Sequence, residues 1–252
     1  MRRRRKIKEG KIYIGTSGWS YEHWKGPFYP EDLPAKDLLS FYIQQFKTVE
    51  INRTFYSLPE RAVFSRYAKT VPSSFIFSVK ASRFITHVKR LKNPKPSLKR
   101  LFSRIRPLGR HLGPILFQLP PHWKVNKERL RAFLEKLPKK HRFAFEFRDE
   151  SWFAEEIFEL LEESRAAFCI YELGHVQTPF IETADFVYVR LHGPKEAYAG
   201  SYSLAALKKW ARYFRKEARK GRDVYCYFDN DEAGYAAMNA KTMLGLCQNG
   251  LY

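Results

Sequence analysis

The sequence reads as a single α/β domain, a (β/α)8 TIM barrel that is somewhat irregular after its sixth strand. Three observations carry that reading. Strand-like and helix-like segments alternate along the chain, which implies a parallel sheet. Eight such strands occur, and 252 residues is the usual length of a closed eight-stranded barrel. Finally, short apolar runs end in polar residues that no core would select: Val49-Glu50-Ile51-Asn52, Phe143-Ala144-Phe145-Glu146-Phe147-Arg148, Tyr188-Val189-Arg190-Leu191-His192, and Tyr225-Cys226-Tyr227-Phe228-Asp229-Asn230-Asp231. Side chains alternate along a strand, so Glu50 and Asn52 share one face, as do Glu146 with Arg148 and Arg190 with His192. The opposite faces are apolar. Buried charge without a partner is costly, so these groups should meet one another or a ligand. A doubly wound open sheet is the alternative. No Gly-x-Gly-x-x-Gly opens a helix after the first strand, which weighs against a dinucleotide-binding sheet.

The elements follow in order. Ile12 to Gly15 is a short strand ending in Thr16-Ser17-Gly18, and a Gly-, Pro- and aromatic-rich loop runs from Trp19 to Pro34. Lys36 to Phe46 reads as a helix, Thr48 to Asn52 as a strand, Glu60 to Lys69 as a helix and Phe75 to Lys80 as a strand. A basic loop from Arg83 to Pro96 leads into a helix from Ser97 to Ile105. Ile115 to Gln118 is a strand closed by Pro120-Pro121, and Asn126 suits the N-cap of a helix reaching Leu137. Arg142 to Phe147 is a strand, Phe153 to Glu163 a helix, Ala167 to Tyr171 a strand. The interval from Glu172 to Asp185 is too short for a long helix, and this is the expected irregularity. Phe186 to Arg190 is a strand, Ser203 to Arg219 a helix, Asp223 to Tyr227 the eighth strand, and Asp231 starts the last helix.

Residues 1–11 read as a basic N-terminal arm and residues 12–252 as the barrel domain. Hydrophobic residues make up 44% and aromatics 16%, enough for a sizeable core, so global disorder is excluded. The formal net charge is +20. Between Glu60 and Glu128 there is no acidic residue, while sixteen Lys or Arg occur there. That asymmetry suits a polyanion, nucleic acid above all, with a merely solvated basic face as the alternative. The run Arg2 to Lys6 is expected to be a disordered extension of the same field. Cys169, Cys226 and Cys247 match no zinc spacing; the first two sit in apolar strands and read as inert buried thiols. Unpaired cysteines, with no signal peptide and no membrane-spanning run, lead to the expectation of a cytoplasmic protein.

In a TIM barrel the functional groups come from the carboxyl ends of the strands. Those ends supply Ser17, Glu50 with Asn52, Lys80, Gln118, Glu146 with Arg148, Arg190 with His192, and Asp229 with Asn230 and Asp231. The sixth strand offers only Tyr171 and Glu172. Glu50, Glu146 and Asp229 are the catalytic candidates, since paired carboxyls can act as general acid and base or as nucleophile. Lys80, Arg148 and Arg190 could clamp an anion, and His192 could shuttle protons. Trp19, Trp24, Tyr56, Trp152, Tyr198 and Tyr202 lie just beyond strand ends and could stack on a base or sugar ring, ordinary loop packing being the competing reading. His87, with Lys89 and Arg90, extends the basic loop as a lid. A structural ion-pair network is the competing reading of all the charges.

No cofactor is expected. The seven histidines show no paired spacing, so a divalent metal is weakly supported and no metal ligand is assigned. There is no phosphate-cradling Gly-x-x-x-x-Gly-Lys loop and no Gly-x-Ser-x-Gly elbow.

Further stretches sharpen the picture: Ile14-Gly15-Thr16-Ser17-Gly18-Trp19-Ser20-Tyr21, Thr54-Phe55-Tyr56, Lys80-Ala81-Ser82-Arg83 with Ile85-Thr86-His87, Phe117-Gln118-Leu119-Pro120-Pro121, and Ser151-Trp152. With the strand-end motifs above, they resemble the DUF72 (YecE-like) family, in order, from about Ile12 to Leu246. The resemblance implies a TIM barrel with general similarity to xylose-isomerase-like and endonuclease-IV-like barrels, and it implies no activity. Two positions depart from the pattern: Asp229 stands where Asn is expected, and Tyr171-Glu172 where a smaller, Asp-containing end is expected. The histidine-rich metal set of endonuclease-IV-like enzymes is not matched. The functional expectation is a hydrolase acting on a phosphate-bearing or nucleic-acid ligand, single strands preferred. A sugar-directed, glycosidase-like enzyme using Glu50 and Glu146 and a non-catalytic nucleic-acid-binding protein are the alternatives.

Overall fold

A computed structural model of the chain describes residues 8–248. The arginine run of the N-terminal arm lies outside the described residues. The elements are β1 (Ile12–Thr16), α1 (Leu38–Gln45), β2 (Thr48–Ile51), α2 (Arg53–Tyr56), α3 (Arg61–Thr70), β3 (Ile76–Lys80), α4 (Pro94–Ile105), β4 (Leu112–Gln118), α5 (Lys127–Leu134), β5 (Phe143–Glu146), α6 (Glu155–Glu163), β6 (Ala167–Leu173), β7 (Val176–Gln177), β8 (Phe186–Leu191), α7 (Leu204–Arg219), β9 (Asp223–Phe228) and α8 (Tyr235–Gln248).

Eight of the strands form one parallel sheet in the order β1-β9-β8-β6-β5-β4-β3-β2. The sheet nearly closes on itself where Ser17 bridges Glu50 and Gly18 N–H donates to the Glu50 carbonyl at 2.8 Å. A Cβ on Gly15 would stand 2.3 Å from the Thr48 carbonyl oxygen, so a glycine is what lets β1 approach β2 at this seam. The architecture is a (β/α)8 TIM barrel. Its irregularity lies after the sixth strand, as expected: β6 runs on to Leu173 and turns back through the two-residue antiparallel β7, with no helix before β8.

Helices cover the outer face because their apolar positions recur at helical spacing. In α7, Leu207, Trp210, Ala211, Phe214 and Ala218 are buried, one stripe of the 3.6-residue period. The Ser203 side chain caps that helix, accepting from Ala206 N–H at 3.2 Å, and Asn126 caps α5 in the same way at 2.9 Å. Several helix boundaries differ from the sequence expectation: α1 starts at Leu38 and not Lys36, and α5 ends at Leu134 and not Leu137. Helix α4 starts at Pro94, earlier than Ser97, because proline suits the first helical turn. Helix α6 starts at Glu155 and not Phe153, since Glu150 to Trp152 forms a separate short turn. Helix α8 starts at Tyr235 and not Asp231, because Ala233 and Gly234 take left-handed backbone angles.

The outward faces of the strands build the main core: Ile14, Val49, Phe77, Val79, Phe117, Phe145, Val189 and Phe228 all lie in it. Each such side chain contributes about 1.5–3 kcal/mol by leaving water. The inward faces are layered. Tyr13 stacks on Tyr225 with centroids 4.9 Å apart, next to Phe186, near the amino end. Above them Leu116, Ala144 and Cys169 fill the middle, and two tyrosine hydroxyls bond to neighbours, Tyr227 to Thr48 at 2.8 Å and Tyr188 to Ser78 at 2.6 Å. The charged residues form the carboxyl-end layer. Cys169 and Cys226 are buried free thiols. Among the described residues, no helix is long and apolar enough to cross a membrane.

Candidate functional site

Arg190, two residues short of the end of the β8 motif, has no exposed surface and organises the carboxyl-end layer. Its Nη1 donates to Glu146 Oε2 at 2.9 Å. Its Nη2 donates to Glu50 Oε1 at 2.8 Å, Asp229 Oδ2 at 2.9 Å and Ser17 Oγ at 3.1 Å. Glu50 is completed by the hydroxyls of Ser17 at 2.6 Å and Tyr188 at 2.7 Å. Glu146 also accepts from Arg148 Nε. His192 sits between the two halves. Its Nε2 faces Arg148 Nη2 at 3.0 Å and Arg190 Nη1 at 3.3 Å, and its Nδ1 lies 2.9 Å from Asp229 Oδ2. Both groups at Nε2 are donors, so Nε2 accepts and Nδ1–H donates to Asp229.

The electrostatics follow from this packing. Burial pushes the Glu146 carboxyl up, but Arg148 and Arg190 outweigh it and hold the group well below the usual carboxylate range. Burial also pushes Asp229 up, and Arg190, His192 and Lys80 outweigh it in the same direction. Both therefore stay ionised near neutral pH. Neither is available there as a general acid.

Lys80, at the end of β3, is the exception in this layer. It is 5% exposed, and no carboxylate of the described residues lies within 4.0 Å of its ammonium. Its Nζ stands 4.2 Å from the centre of the Phe55 ring. Burial and the Arg190 charge pull it down to about 8. The edge of the His87 ring meets the same Phe55 ring at 5.0 Å. Partial burial, with Arg83, Lys80 and Arg148 nearby, pulls His87 down to about 4, so it is uncharged at neutral pH. Asn52 Oδ1, Gln118 Oε1, Arg190 Nε and Asn230 Oδ1 are buried without a hydrogen-bond partner, and all four belong to this carboxyl-end layer.

The structure thus brings Ser17, Glu50, Asn52, Lys80, Gln118, Glu146, Arg148, Arg190, His192, Asp229 and Asn230 to one end of the barrel. Asp231 lies at its edge, beside His23 at 4.0 Å, with its carboxyl raised by burial and by Asp229. The aromatics divide. Trp152 is fully buried, stacks on Phe147 at 4.9 Å and donates its indole N–H to the Trp123 carbonyl at 2.6 Å, which makes it a core residue. Trp24 is also core, and Trp19 packs edge-on against Tyr67 at 5.1 Å. The Tyr202 hydroxyl accepts from Gly193 N–H at 3.0 Å. Tyr56 and Tyr198 are exposed by 69% and 45%. At the sixth strand, Tyr171 fills the flank, its ring 4.9 Å from the Arg148 guanidinium, while Glu172 turns away to accept from Trp210 at 3.1 Å.

Sequence reasoning missed Tyr188, Phe55 and Phe84. Tyr188 precedes Arg190 by two residues and shares its face, a signal that was legible. Phe55 carries no such signal, because only the folded turn of α2 places it under Lys80. Among the described residues, no group of three or more His, Cys, Asp or Glu is arranged to hold a metal ion.

The basic segment wraps the same end. After β3, a single wide turn (Phe84–Val88) and then α4 carry Arg83, Lys89, Arg90, Lys92, Lys95, Lys99 and Arg100 on the surface. Among the described residues, no carboxylate pairs with any of these seven; Arg104, Lys124 and Lys127 of the basic interval do have acidic partners. A groove of about 470 Å³ lies between this segment and the loop after α2, lined by Ser57, Ser82, Phe84, Ile85, Ser97 and Arg100.

Comparison with known proteins agrees with this architecture. A DUF72 family protein from Thermotoga maritima MSB8 is 32% identical in sequence and superposes with a TM-score of 0.84, covering 94% of this chain and 98% of the other. A DUF72 family protein from Enterococcus faecalis V583 shares the fold at 20% identity, with a TM-score of 0.79 and 96% of each chain covered. The UPF0759 protein YunF of Bacillus subtilis (strain 168) is 27% identical over 271 residues, which span 93% of this chain and 94% of YunF. The family described as "Protein of unknown function DUF72" matches residues 13–250, and the chain belongs to that family.

Proposed function

We propose that this protein is an enzyme acting on a phosphate-bearing ligand at the carboxyl end of the barrel, single-stranded nucleic acid being the form its surface suits. The observation that carries the reading is the row of unpaired surface cations from Arg83 to Arg100 next to the buried, unpaired Lys80. An uncompensated basic surface attracts phosphates and concentrates them at the mouth. Exposed Phe84 and Tyr56 flank it and offer faces on which bases can stack. The loop is also held in an unfavourable shape: Arg90, Leu91 and Asn93 all have left-handed backbone angles. Such conformations concentrate where binding or catalysis requires them.

The structure shifts the proposed roles inside the pocket. The carboxylates that suggested acid–base hydrolysis are engaged by Arg190, Arg148 and His192, and Arg190 has no free Nη group with which to clamp a ligand. Burial and the Arg190 charge bring Lys80 down to about 8, within reach of an acid–base role near neutral pH. One set of observations favours a second reading, a sugar-directed enzyme: the unpartnered acceptors of Asn52, Gln118 and Asn230 suit ligand hydroxyls.

The test is a titration of labelled single-stranded oligonucleotides at about 50 mM salt, repeated up to about 200 mM. Binding should be measurable at micromolar protein and fall steeply with salt. Changing Lys89, Arg90 and Lys92 to Glu should weaken it at least about tenfold and flatten the salt slope. No association with any oligonucleotide would remove nucleic acid and leave a small phosphate or sugar ligand.

A further inference from the structure

We propose that Lys80 is a nucleophile that captures an aldehyde or ketone group of a hydroxylated substrate as a Schiff base. The proposal rests on the reading of the barrel mouth as an active site, and it names the reacting atom and the substrate class.

The geometry separates Lys80 from the other charges of its layer. Glu50 and Glu146 have both oxygens engaged by Arg190, Arg148 or a hydroxyl, and Asp229 has its Oδ2 engaged by Arg190 and His192. Among the described residues, no carboxylate forms an ion pair with Lys80 within 4.0 Å. The backbone of Lys80 is fixed nonetheless: Thr54 Oγ1 donates to its carbonyl at 2.6 Å, and β3 pairs it with Leu116 of β4. A lysine that served only to neutralise the carboxylates would be expected to touch one of them. This one points its amine at the Phe55 ring.

A lysine becomes a nucleophile when it is desolvated in an apolar setting or placed near another cation. Lys80 has both: it is buried against Phe55, and the Arg190 charge is near enough to disfavour its own. The downward shift of its amine to about 8 has those two causes, in that order. Ordinary surface lysines titrate near 10.4, so at pH 7 the uncharged fraction of Lys80 is roughly 100-fold larger than theirs.

The substrate class follows from the neighbours. Asn52 and Gln118 end the two strands that flank β3, and each has a buried carbonyl oxygen without a donor, as has Asn230 across the mouth. Gln118 is 8% exposed and Asn230 is fully buried. Buried polar atoms are rarely left unpaired, so these oxygens fit hydroxyl donors brought by a ligand. Hydroxyls next to a carbonyl describe a sugar-like aldehyde or ketone, and the cations outside the pocket suit a phosphate on it.

The step balances without a co-reactant. The lone pair of uncharged Nζ attacks the carbonyl carbon, the C–N bond forms, and the C=O π electrons move to oxygen. The nitrogen loses a proton and the oxygen gains one, giving a carbinolamine. A further proton on that oxygen lets it leave as water, and the nitrogen lone pair forms the C=N bond of the iminium. Hydride from cyanoborohydride would reduce that iminium to a stable secondary amine.

The experiment incubates the whole protein with glycolaldehyde or dihydroxyacetone phosphate and cyanoborohydride, and maps adducts by peptide mass spectrometry. Lys80 should be modified first at pH 7, roughly 100-fold faster than the exposed lysines. Its rate should rise with pH and level off near pH 8. K80R, which keeps the charge, should show only the slow surface background. Lys80 left unmodified, or modified no faster than exposed lysines, would overturn the proposal, as would a rate that keeps climbing past pH 10. The variant with Lys89, Arg90 and Lys92 changed to Glu separates the two readings. Trapping of glycolaldehyde, which carries no phosphate, retained while oligonucleotide binding is lost supports the Schiff base independently of the basic surface. Oligonucleotide binding without trapping at Lys80 leaves the surface reading standing and ends this one.

Discussion

Arg190 and Glu146 face one another across the barrel mouth, Nη1 to Oε2 at 2.9 Å, with neither side chain exposed to solvent. Five strands supply the carboxylates, hydroxyl and imidazole around that guanidinium: Ser17 after β1, Glu50 on β2, Glu146 on β5, His192 after β8 and Asp229 after β9. A single cation thus ties together strands that are distant in the sequence. Replacing such a pair by apolar groups is often harmless, whereas breaking it from one side is costly because the partner charge stays buried.

Glu146→Gln is the one-sided break. It preserves shape, removes the charge, and leaves Arg148 and Arg190 with one carboxylate fewer. The expected loss is about 3–5 kcal/mol. In a chain of this size that lowers the melting temperature by roughly 6–20 °C. Differential scanning calorimetry measures it. A shift under about 4 °C would show that the network is not what holds the mouth together.

The pH dependence follows from the same contacts. Glu146 and Asp229 are both held below their ordinary values in the fold. A depressed carboxyl stabilises the fold above its unfolded value, near 4, and that contribution is lost as pH falls from about 5 towards the folded value. Melting temperature should be flat from pH 7 to about 5.5 and fall steeply below. Glu146→Gln should show a shallower acid limb. An acid limb of unchanged steepness in the variant would place the acid sensitivity elsewhere.

Lys80 has the opposite sign. Its folded value is about 8 against 10.5 ordinarily, so between those values the unfolded chain binds more protons and stability rises with pH. Below pH 8 the charged amine costs the fold up to about 3 kcal/mol. Lys80→Met removes that cost and should raise the melting temperature at pH 7 by several degrees, about 2–4 °C per kcal/mol. The variant should also lose the rise in stability between pH 8 and 10.5. A destabilised Lys80→Met would mean that the ammonium is a structural counter-charge for the carboxylates. A gain in stability from removing a group is the mark of one kept for function.

These groups differ in how much of their environment the sequence discloses. Period-two alternation identifies Glu50, Lys80, Glu146, Arg190 and Asp229 as inward-facing ends, because a strand has only two faces. It cannot tell which charges meet. That depends on strand register, which pairs Arg190 with Tyr227 and Gln118 with Glu146, and on side chains reaching across the mouth. So the division between engaged Arg190 and unpaired Lys80 was not legible, although both stood out as cations at strand ends. Loop aromatics are less legible still. Trp152 and Tyr56 look alike in sequence, each just past a strand end, yet one is sealed under Trp123 and the other is 69% exposed. The difference lies in how the following turn folds back, for which neither residue carries a local signal.

That difference sets the last expectation. If single-stranded nucleic acid lies along the basic rim, its bases need aromatic faces, and the exposed rings there are Tyr56 and Phe84, 69% and 47% accessible. Phe84 also lines the groove beside Arg100, and Lys89 sits 5.6 Å over its ring. A base stacked on an aromatic ring is worth about 1–3 kcal/mol, so Tyr56→Ala and Phe84→Ala should each weaken oligonucleotide binding by about 5- to 150-fold. Neither touches a phosphate, so the dependence on salt should keep its slope, in contrast to the Lys89, Arg90 and Lys92 variant, whose slope should fall with the lost phosphate contacts. Anisotropy titrations of the three proteins across the same salt series make the comparison. Binding unchanged in both alanine variants, with the slope reduced only by the charge reversals, would make the contact purely one of phosphate and cation. In that case duplex and single strand should bind alike, and the preference for single strands is withdrawn.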